Sequence, residues 1–361
     1  MFQIPIMRPE QRIRARGAGL NPSGRFEKTE TVVESDGWDL LEEPQPLRTE
    51  VTVERARKII TRNQSPDISF DRSINPYRGC EHGCVYCFAR PSHGYLGLSA
   101  GLDFETRLVA KPGAAERLAK ELSAPSYRVA PIAIGTNTDA YQPIEKEQRI
   151  MREILEVLRD FRHPVTIATK GTLIERDIDI LSEMAADGLT QVGVSVTTLS
   201  SGLSRRMEPR VPVPARRLEV IRALSAAGVP VRVMASPMIP GLTDHELEGI
   251  LEAARDAGAR AASWILLRLP YEVSALFRDW LETHAPLRKD KVMARIREAH
   301  GGQDYDARWG HRMRGEGLFA KLIDQRFKAS VRRLGLATDL PQVRTDLFRV
   351  PPRKGDQLSL F

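Results

Sequence analysis

From about residue 114 the chain alternates between short apolar runs and amphipathic helical stretches, and that rhythm leaves few folds open. Ala114 to Leu122 reads as a helix, and Tyr127 to Ile134 as a buried strand. A helix stepping on Ile150, Ile154 and Leu158 precedes strand Val165–Ala168, and a helix with Ile174, Ile178, Leu181 and Ala185 on one face precedes strand Gln191–Val196. A helix near Arg216–Ala227, stopped by Gly228, leads to strand Val231–Met234. The next helix is expected to start at Thr243, with Glu246 completing a capping box, before a last strand at Trp264–Leu267. Strands rich in β-branched residues, separated by helices of about 10–15 residues, predict a parallel sheet with helical crossovers. With one strand before the cysteine loop the count is six βα units, too few for a closed eight-stranded barrel.

The flanks differ in character. Residues 1–64, broken by Pro5, Pro9, Pro22, Pro44 and Pro46, read as an extended arm with strand-like pieces such as Glu50–Glu54. The barrel is expected over residues 65–272 and a basic, mainly helical extension over 273–337. In that extension a helix at Ser274–Glu282 precedes a glycine-rich polar region; then Phe319, Ile323, Phe327 and Val331 mark a second helix, ended by Gly335. Residues 338–361, with Pro341, Pro351 and Pro352, read as a flexible tail. The net charge of +7 is uneven: residues 285–361 hold 17 Lys+Arg against 9 Asp+Glu, a net of +8, which leaves −1 for the rest. A basic quarter on a neutral body fits a polyanion such as DNA, or a plain solvated surface. No apolar run long enough to span a membrane occurs, and the first residues do not form a leader, so a reducing cytoplasmic home is expected.

All three cysteines of the chain lie in Cys80-Glu-His-Gly-Cys84-Val-Tyr86-Cys87. Three thiolates at C-x3-C-x2-C spacing, on a loop loosened by Gly79 and Gly83, suit three corners of a cubane iron–sulfur cluster, leaving the fourth iron to a small chelator. A structural zinc ion wants four ligands, and only His82 and His93 stand near enough to help. A disulfide would strand one thiol.

This loop, with an aromatic before its last cysteine, resembles the radical SAM superfamily; the stretch from Ile74-Asn-Pro-Tyr-Arg-Gly to Cys87-Phe-Ala-Arg90 resembles the spore photoproduct lyase-like branch more narrowly. The resemblance runs from about Ser65 to about Pro270 and implies an α/β fold with a partial (β/α)6 barrel. It implies a [4Fe–4S] cluster on Cys80, Cys84 and Cys87, with S-adenosylmethionine (SAM) on the open iron. An external reductant such as a flavodoxin or ferredoxin would then drive cleavage of SAM to a 5′-deoxyadenosyl radical that abstracts a substrate hydrogen. Tyr86 occupies the place where the family's aromatic borders adenine, or it packs beside the cluster. The polar run Gly135-Thr-Asn-Thr-Asp-Ala-Tyr-Gln offers Thr136 and Asn137 to the SAM ammonium and Asp139 to substrate, or simply makes a turn. Lys170 suits the methionine carboxylate. Ser195 and Thr197 serve ribose or interior hydrogen bonds; Met238 belongs to an apolar wall against adenine. Arg205, Arg206, Glu208 and Arg210 follow the fourth strand toward substrate.

Spore photoproduct lyase is thought to use a further cysteine as hydrogen donor, and here none is left, so Tyr95 or Tyr141 would have to substitute or the reaction differs. Three functions remain: a radical SAM enzyme acting on nucleic acid, one modifying a protein or small metabolite, and a redox-sensing iron–sulfur protein without turnover. The final residues, Gln357-Leu358-Ser-Leu360-Phe361, resemble the bacterial sliding-clamp binding motif, with the three apolar side chains as anchors and the Gln357 amide setting register; five residues also match by chance.

Overall fold

The computed structural model describes residues 16–27 and 47–352. Its centre is a sheet of strands β1 (Arg72–Ile74), β2 (Ile132–Ile134), β3 (Val165–Thr169), β4 (Thr190–Ser195), β5 (Val231–Met238) and β6 (Ala261–Leu266), paired in chain order and all parallel. Thr61–Arg62 adds an antiparallel edge beyond β1, and β6 does not close onto it, so the barrel stays open. Each crossover is helical, as parallel neighbours require. Helices α1 (Ala114–Leu122), α2 (Ile150–Asp160), α3 (Ile178–Ala186), α4 (Ser201–Met207), α5 (Pro214–Ala226) and α6 (Leu247–Asp256) follow in order. Val165, Ile167, Val192, Val194, Val231 and Val233 are buried, whereas Thr166, Ala168, Gly193, Arg232 and Met234 remain partly accessible. One face thus seals against helices and the other lines an open trough.

Several expectations need correction. Glu246 closes no capping box: its carboxylate accepts from Thr198 Oγ1 at 2.6 Å and from the Leu199 amide at 2.6 Å, tying the loop after β4 to the start of α6. The polar stretch beyond Pro270 hides a helix. After α7 (Glu272–His284), α8 (Lys289–Ala299) buries Val292, Met293, Ile296 and Ala299 as a narrow stripe between charged residues. Helix α9 (Gly317–Leu334) then packs on α6 and α8 and ends at Gly335, whose φ of 66° is the left-handed conformation that glycine tolerates.

Both flanks are built into the body as far as they are described. Glu50–Val53 pairs with Arg107–Ala110, which also pairs with Tyr77–Arg78, so a small second sheet carries the chain straight into the cysteine loop. Residues 338–352 are not a free tail. Ala337 bonds to β6, the Arg344 amide donates to the Gly188 carbonyl at 2.9 Å and the Arg349 amide to the Phe161 carbonyl at 3.0 Å. Phe348 packs among Tyr127, Phe161 and His163, under the entry ends of β2 and β3. The clamp-like residues Gln357, Leu358, Leu360 and Phe361 lie outside the described residues. Among the described residues no helix is long and apolar enough to cross a membrane. Much of the basic quarter is paired with acids: Arg297 with Asp304, Arg312 with Asp67, Arg326 with Glu248 and Arg344 with Asp346.

Candidate active site

The cysteine loop leaves the small sheet at Gly79, whose φ is 77°; a Cβ there would lie 2.6 Å from Leu108 Cδ2 and 2.9 Å from the Phe104 carbonyl. No other residue fits that turn. Backbone bonds then staple the loop down: Cys80 N–H to Phe104 O at 2.9 Å, Val85 N–H to Met207 O at 3.0 Å and Cys87 N–H to Cys84 O at 3.2 Å. Arg90, fully buried, gathers the loop from beneath. Its guanidinium donates to the carbonyls of Cys84 (2.9 Å), Ala100 (3.1 Å) and Gly101 (2.8 Å) and pairs with Glu105 at 2.5 Å. Glu105 in turn accepts from the Gly17 and Ala18 amides, at 2.9 and 2.8 Å. That strand of the arm lies so close that a Cβ on Gly17 would sit 1.6 Å from the Gly83 oxygen. The arm is therefore a wall of the site, which proline-broken sequence did not reveal.

Cys80 and Cys84 are buried and Cys87 is partly accessible. Burial pushes the Cys84 thiol well above its ordinary value, helped by the nearby Glu208 charge, and burial raises Cys87 as well. The neighbouring thiol sites add to both shifts. Among the described residues no three His, Cys, Asp or Glu groups converge on one point as a lone ion needs. Cubane thiolates each take a different iron, so a cluster does not need three groups to meet on one point. Each histidine considered for zinc already has one ring nitrogen engaged: His93 Nε2 lies 2.8 Å from the Arg107 carbonyl, and His82 Nδ1 lies 3.3 Å from Asp139 Oδ2.

The strand ends meet this loop from above. Asp139 accepts from the Tyr141 amide (2.9 Å), Thr169 Oγ1 (2.6 Å) and the Lys170 amide (2.7 Å), besides its contact to His82. Burial opposes its charge, yet the His82 cation and these donors hold it at about 2. Burial likewise opposes the His82 charge, while Asp139 and the Cys80 thiol push that imidazole up to about 10. Asp139 is thus a brace between three loops, not a group directed at substrate. Tyr141 is buried in the main core with its hydroxyl 3.2 Å from Asp177 Oδ2, so the expected hydrogen donor points away from the trough. Tyr95 is exposed and packs on Phe26. Thr136 Oγ1 lies 3.0 Å from Asn75 Nδ2, the Asn137 amide donates to Asn75 Oδ1 at 2.9 Å, and both residues remain partly accessible at the mouth. Lys170 is also partly accessible, with Nζ 6.0 Å from the Tyr86 ring centre.

Beneath Tyr86 lies a network that sequence reasoning only grazed through Glu208. The Tyr86 hydroxyl donates to Glu208 Oε1; Thr197 Oγ1 stands 3.0 Å from that oxygen and 3.0 Å from the Ser236 carbonyl. Arg217 donates to Glu208 Oε2 at 2.6 Å, to Ser204 Oγ at 2.9 Å and to the Ser195 carbonyl at 3.0 Å, and both charged side chains are 0% exposed. Burial works against the Glu208 charge, but Arg217 and then Lys170 bring its carboxyl down to about 2. The Thr197 hydroxyl therefore serves interior bonding, and Ser195 gives its backbone carbonyl to the same network. Met238 is buried at the end of β5, and Arg210 pairs with Glu81 at 3.1 Å.

The sequence profile described as the Radical SAM superfamily matches residues 74–254. The chain belongs to the radical SAM superfamily. An uncharacterised protein of Mycobacterium tuberculosis is 38% identical over 235 residues, covering 64% of this chain and 68% of that one. One from Methanocaldococcus jannaschii is 27% identical over 199 residues, 55% and 71% of the two chains. Among solved structures, spore photoproduct lyase complexed with dinucleoside spore photoproduct superposes with a TM-score of 0.56 at 14% identity over 79% of each chain. That likeness shows a shared fold. The protein is a radical SAM enzyme, and the sensor alternative is set aside.

Proposed function

We propose that this radical SAM enzyme holds a [4Fe–4S] cluster on Cys80, Cys84 and Cys87, binds SAM beside it and acts on a nucleic-acid substrate. The observation that carries the cofactor reading is the loop itself: three neighbouring thiols, one partly accessible, stapled at the open mouth of a parallel barrel. When bound, cluster and SAM supply one-electron cleavage of SAM and hydrogen-atom abstraction. The chain's own part is positional. Lys170 places a cation beside Tyr86 for the SAM carboxylate, and Thr136 and Asn137 face the ammonium, whereas Met238 is sealed in the core and walls no ligand. The arm at Gly17 and Ala18, with Arg90 and Glu105, keeps water from the loop's buried side.

Support for the substrate class comes from three directions: the fold shared with a lyase solved with a dinucleoside photoproduct, the basic last quarter, and the clamp-like ending. With all three cysteines committed, the reaction cannot end in hydrogen donation from a fourth thiol. The test is to give the reduced, reconstituted protein SAM with intact DNA, ultraviolet-irradiated DNA or none, and to follow 5′-deoxyadenosine. Release stimulated by either DNA supports the substrate class; equal release in all three arms removes it.

A further inference from the structure

Two residues past β6, at the same end of the barrel as the cysteine loop, stands Arg268. Its guanidinium carbon lies 4.2 Å from the centre of the Phe88 ring, and Phe88 directly follows Cys87. Its Nε is buried with no hydrogen-bond partner, and no carboxylate pairs with it among the described residues. Other arginines around the mouth have an acidic partner: Arg90 has Glu105, Arg217 has Glu208, Arg210 has Glu81 and Arg312 has Asp67. Asp67, the acid nearest in charge to Arg268, is consumed by Arg312 at 2.6 Å and by the Gly310 amide at 2.7 Å. Burial disfavours the Arg268 cation, and its stacking on Phe88 puts it beside the cysteine loop. A largely buried guanidinium without a counter-charge calls for an anion from outside, and its planar fork matches phosphate oxygens two at a time.

The surroundings narrow the anion further. Phe88 is 45% exposed, and Tyr271, three residues after Arg268, is 70% exposed at a φ of 52° that few bulky residues adopt. Arg25 lies 3.9 Å from the Tyr271 ring centre and keeps it in place. An exposed ring stacked on a phosphate-seeking fork, with a second exposed ring three residues further along the chain, supplies the cation and stacking surfaces by which proteins hold single-stranded nucleic acid. Resting on the nucleic-acid reading above, we infer that Arg268, stacked on Phe88, receives a backbone phosphate of the substrate while Phe88 and Tyr271 take its bases.

The test uses full-length reconstituted protein and a fluorescein-labelled single-stranded oligonucleotide of about twelve nucleotides, followed by anisotropy across a salt series. Arg268→Gln should bind roughly tenfold or more weakly, and its log–log salt slope should be smaller by about 0.7, the loss of one phosphate contact. Arg268→Lys should keep the slope while losing part of the affinity. Phe88→Leu should weaken binding with the slope unchanged. Iron content and SAM affinity by equilibrium dialysis should match the wild type in Arg268→Gln. Unaltered oligonucleotide binding in Arg268→Gln would overturn the inference. A parallel loss of SAM affinity would also overturn it, making Arg268 a SAM anchor, and a loss of iron would make it a support of the loop. If the wild type bound no oligonucleotide, the nucleic-acid reading would fall as well.

Discussion

Glu208→Gln is the most informative single substitution in this protein. The carboxylate accepts from Tyr86, Arg217 and Ser204, and neither it nor Arg217 is exposed at all. Neutralising one partner of a buried pair leaves the other charge uncompensated, which costs about 3–5 kcal/mol. The depressed carboxyl gives a matching figure. Burial opposes ionisation, Arg217 overcomes it, and the fall from 4.5 to about 2 corresponds to about 3 kcal/mol at neutral pH. Urea unfolding of the cluster-free protein should show that loss as a lower midpoint. Arg217→Met alone should cost a similar amount, and Glu208→Leu with Arg217→Met far less than the sum, because an apolar pair needs no compensation. Tyr86 adjoins Cys87, so Glu208→Gln should also retain less iron after reconstitution. A single-variant loss below about 1 kcal/mol, or strictly additive losses in the double variant, would refute the view that this pair braces the loop.

Lys170→Ala should weaken SAM binding roughly tenfold or more with iron content intact, as read by equilibrium dialysis; unchanged affinity would put Lys170 outside the site. Asp139 and Glu208 both ionise near pH 2, below their ordinary 3.8 and 4.5. Their contribution is therefore complete above about pH 4.5 and disappears as pH falls through about 2. Asp139→Asn should flatten the urea midpoint between pH 5 and pH 3, and a variant that tracks the wild type there would contradict the brace. Gly17→Val should lower iron retention under air by opening the arm over Gly83, measured as the decay of cluster absorbance; equal decay would mean the arm does not shield the loop.

What the sequence showed and what it hid have a common physical cause. Periodicity is local, so the order of strands and helices and the position of Gly335 were legible, and the cysteine spacing lies within one turn of loop. Helix α8 escaped because its apolar stripe, Val292, Met293, Ile296 and Ala299, is thin among charged neighbours. Long-range pairing leaves no periodic mark. Nothing local says that Glu105 reaches back to Gly17, that Arg217 finds Glu208, or that Asp139 is spent on Thr169, Lys170 and His82. The sequence leaves Asp139 and Thr197 open between facing a ligand and making local bonds, and in the structure both hold loops in place. Phe348 and Arg344 read as tail from sequence because prolines signal a broken backbone, not whether that backbone is packed.

The most direct test is anaerobic. Wild-type protein and Cys84→Ala should be reconstituted with iron and sulfide, reduced with dithionite and given SAM, with iron per chain and 5′-deoxyadenosine measured together. The wild type should hold about four irons and release 5′-deoxyadenosine, and Cys84→Ala should lose both, since two thiolates retain a cubane poorly. Stoichiometric zinc without iron in the wild type, or release of 5′-deoxyadenosine that persists in Cys84→Ala, would contradict the assignment of the loop.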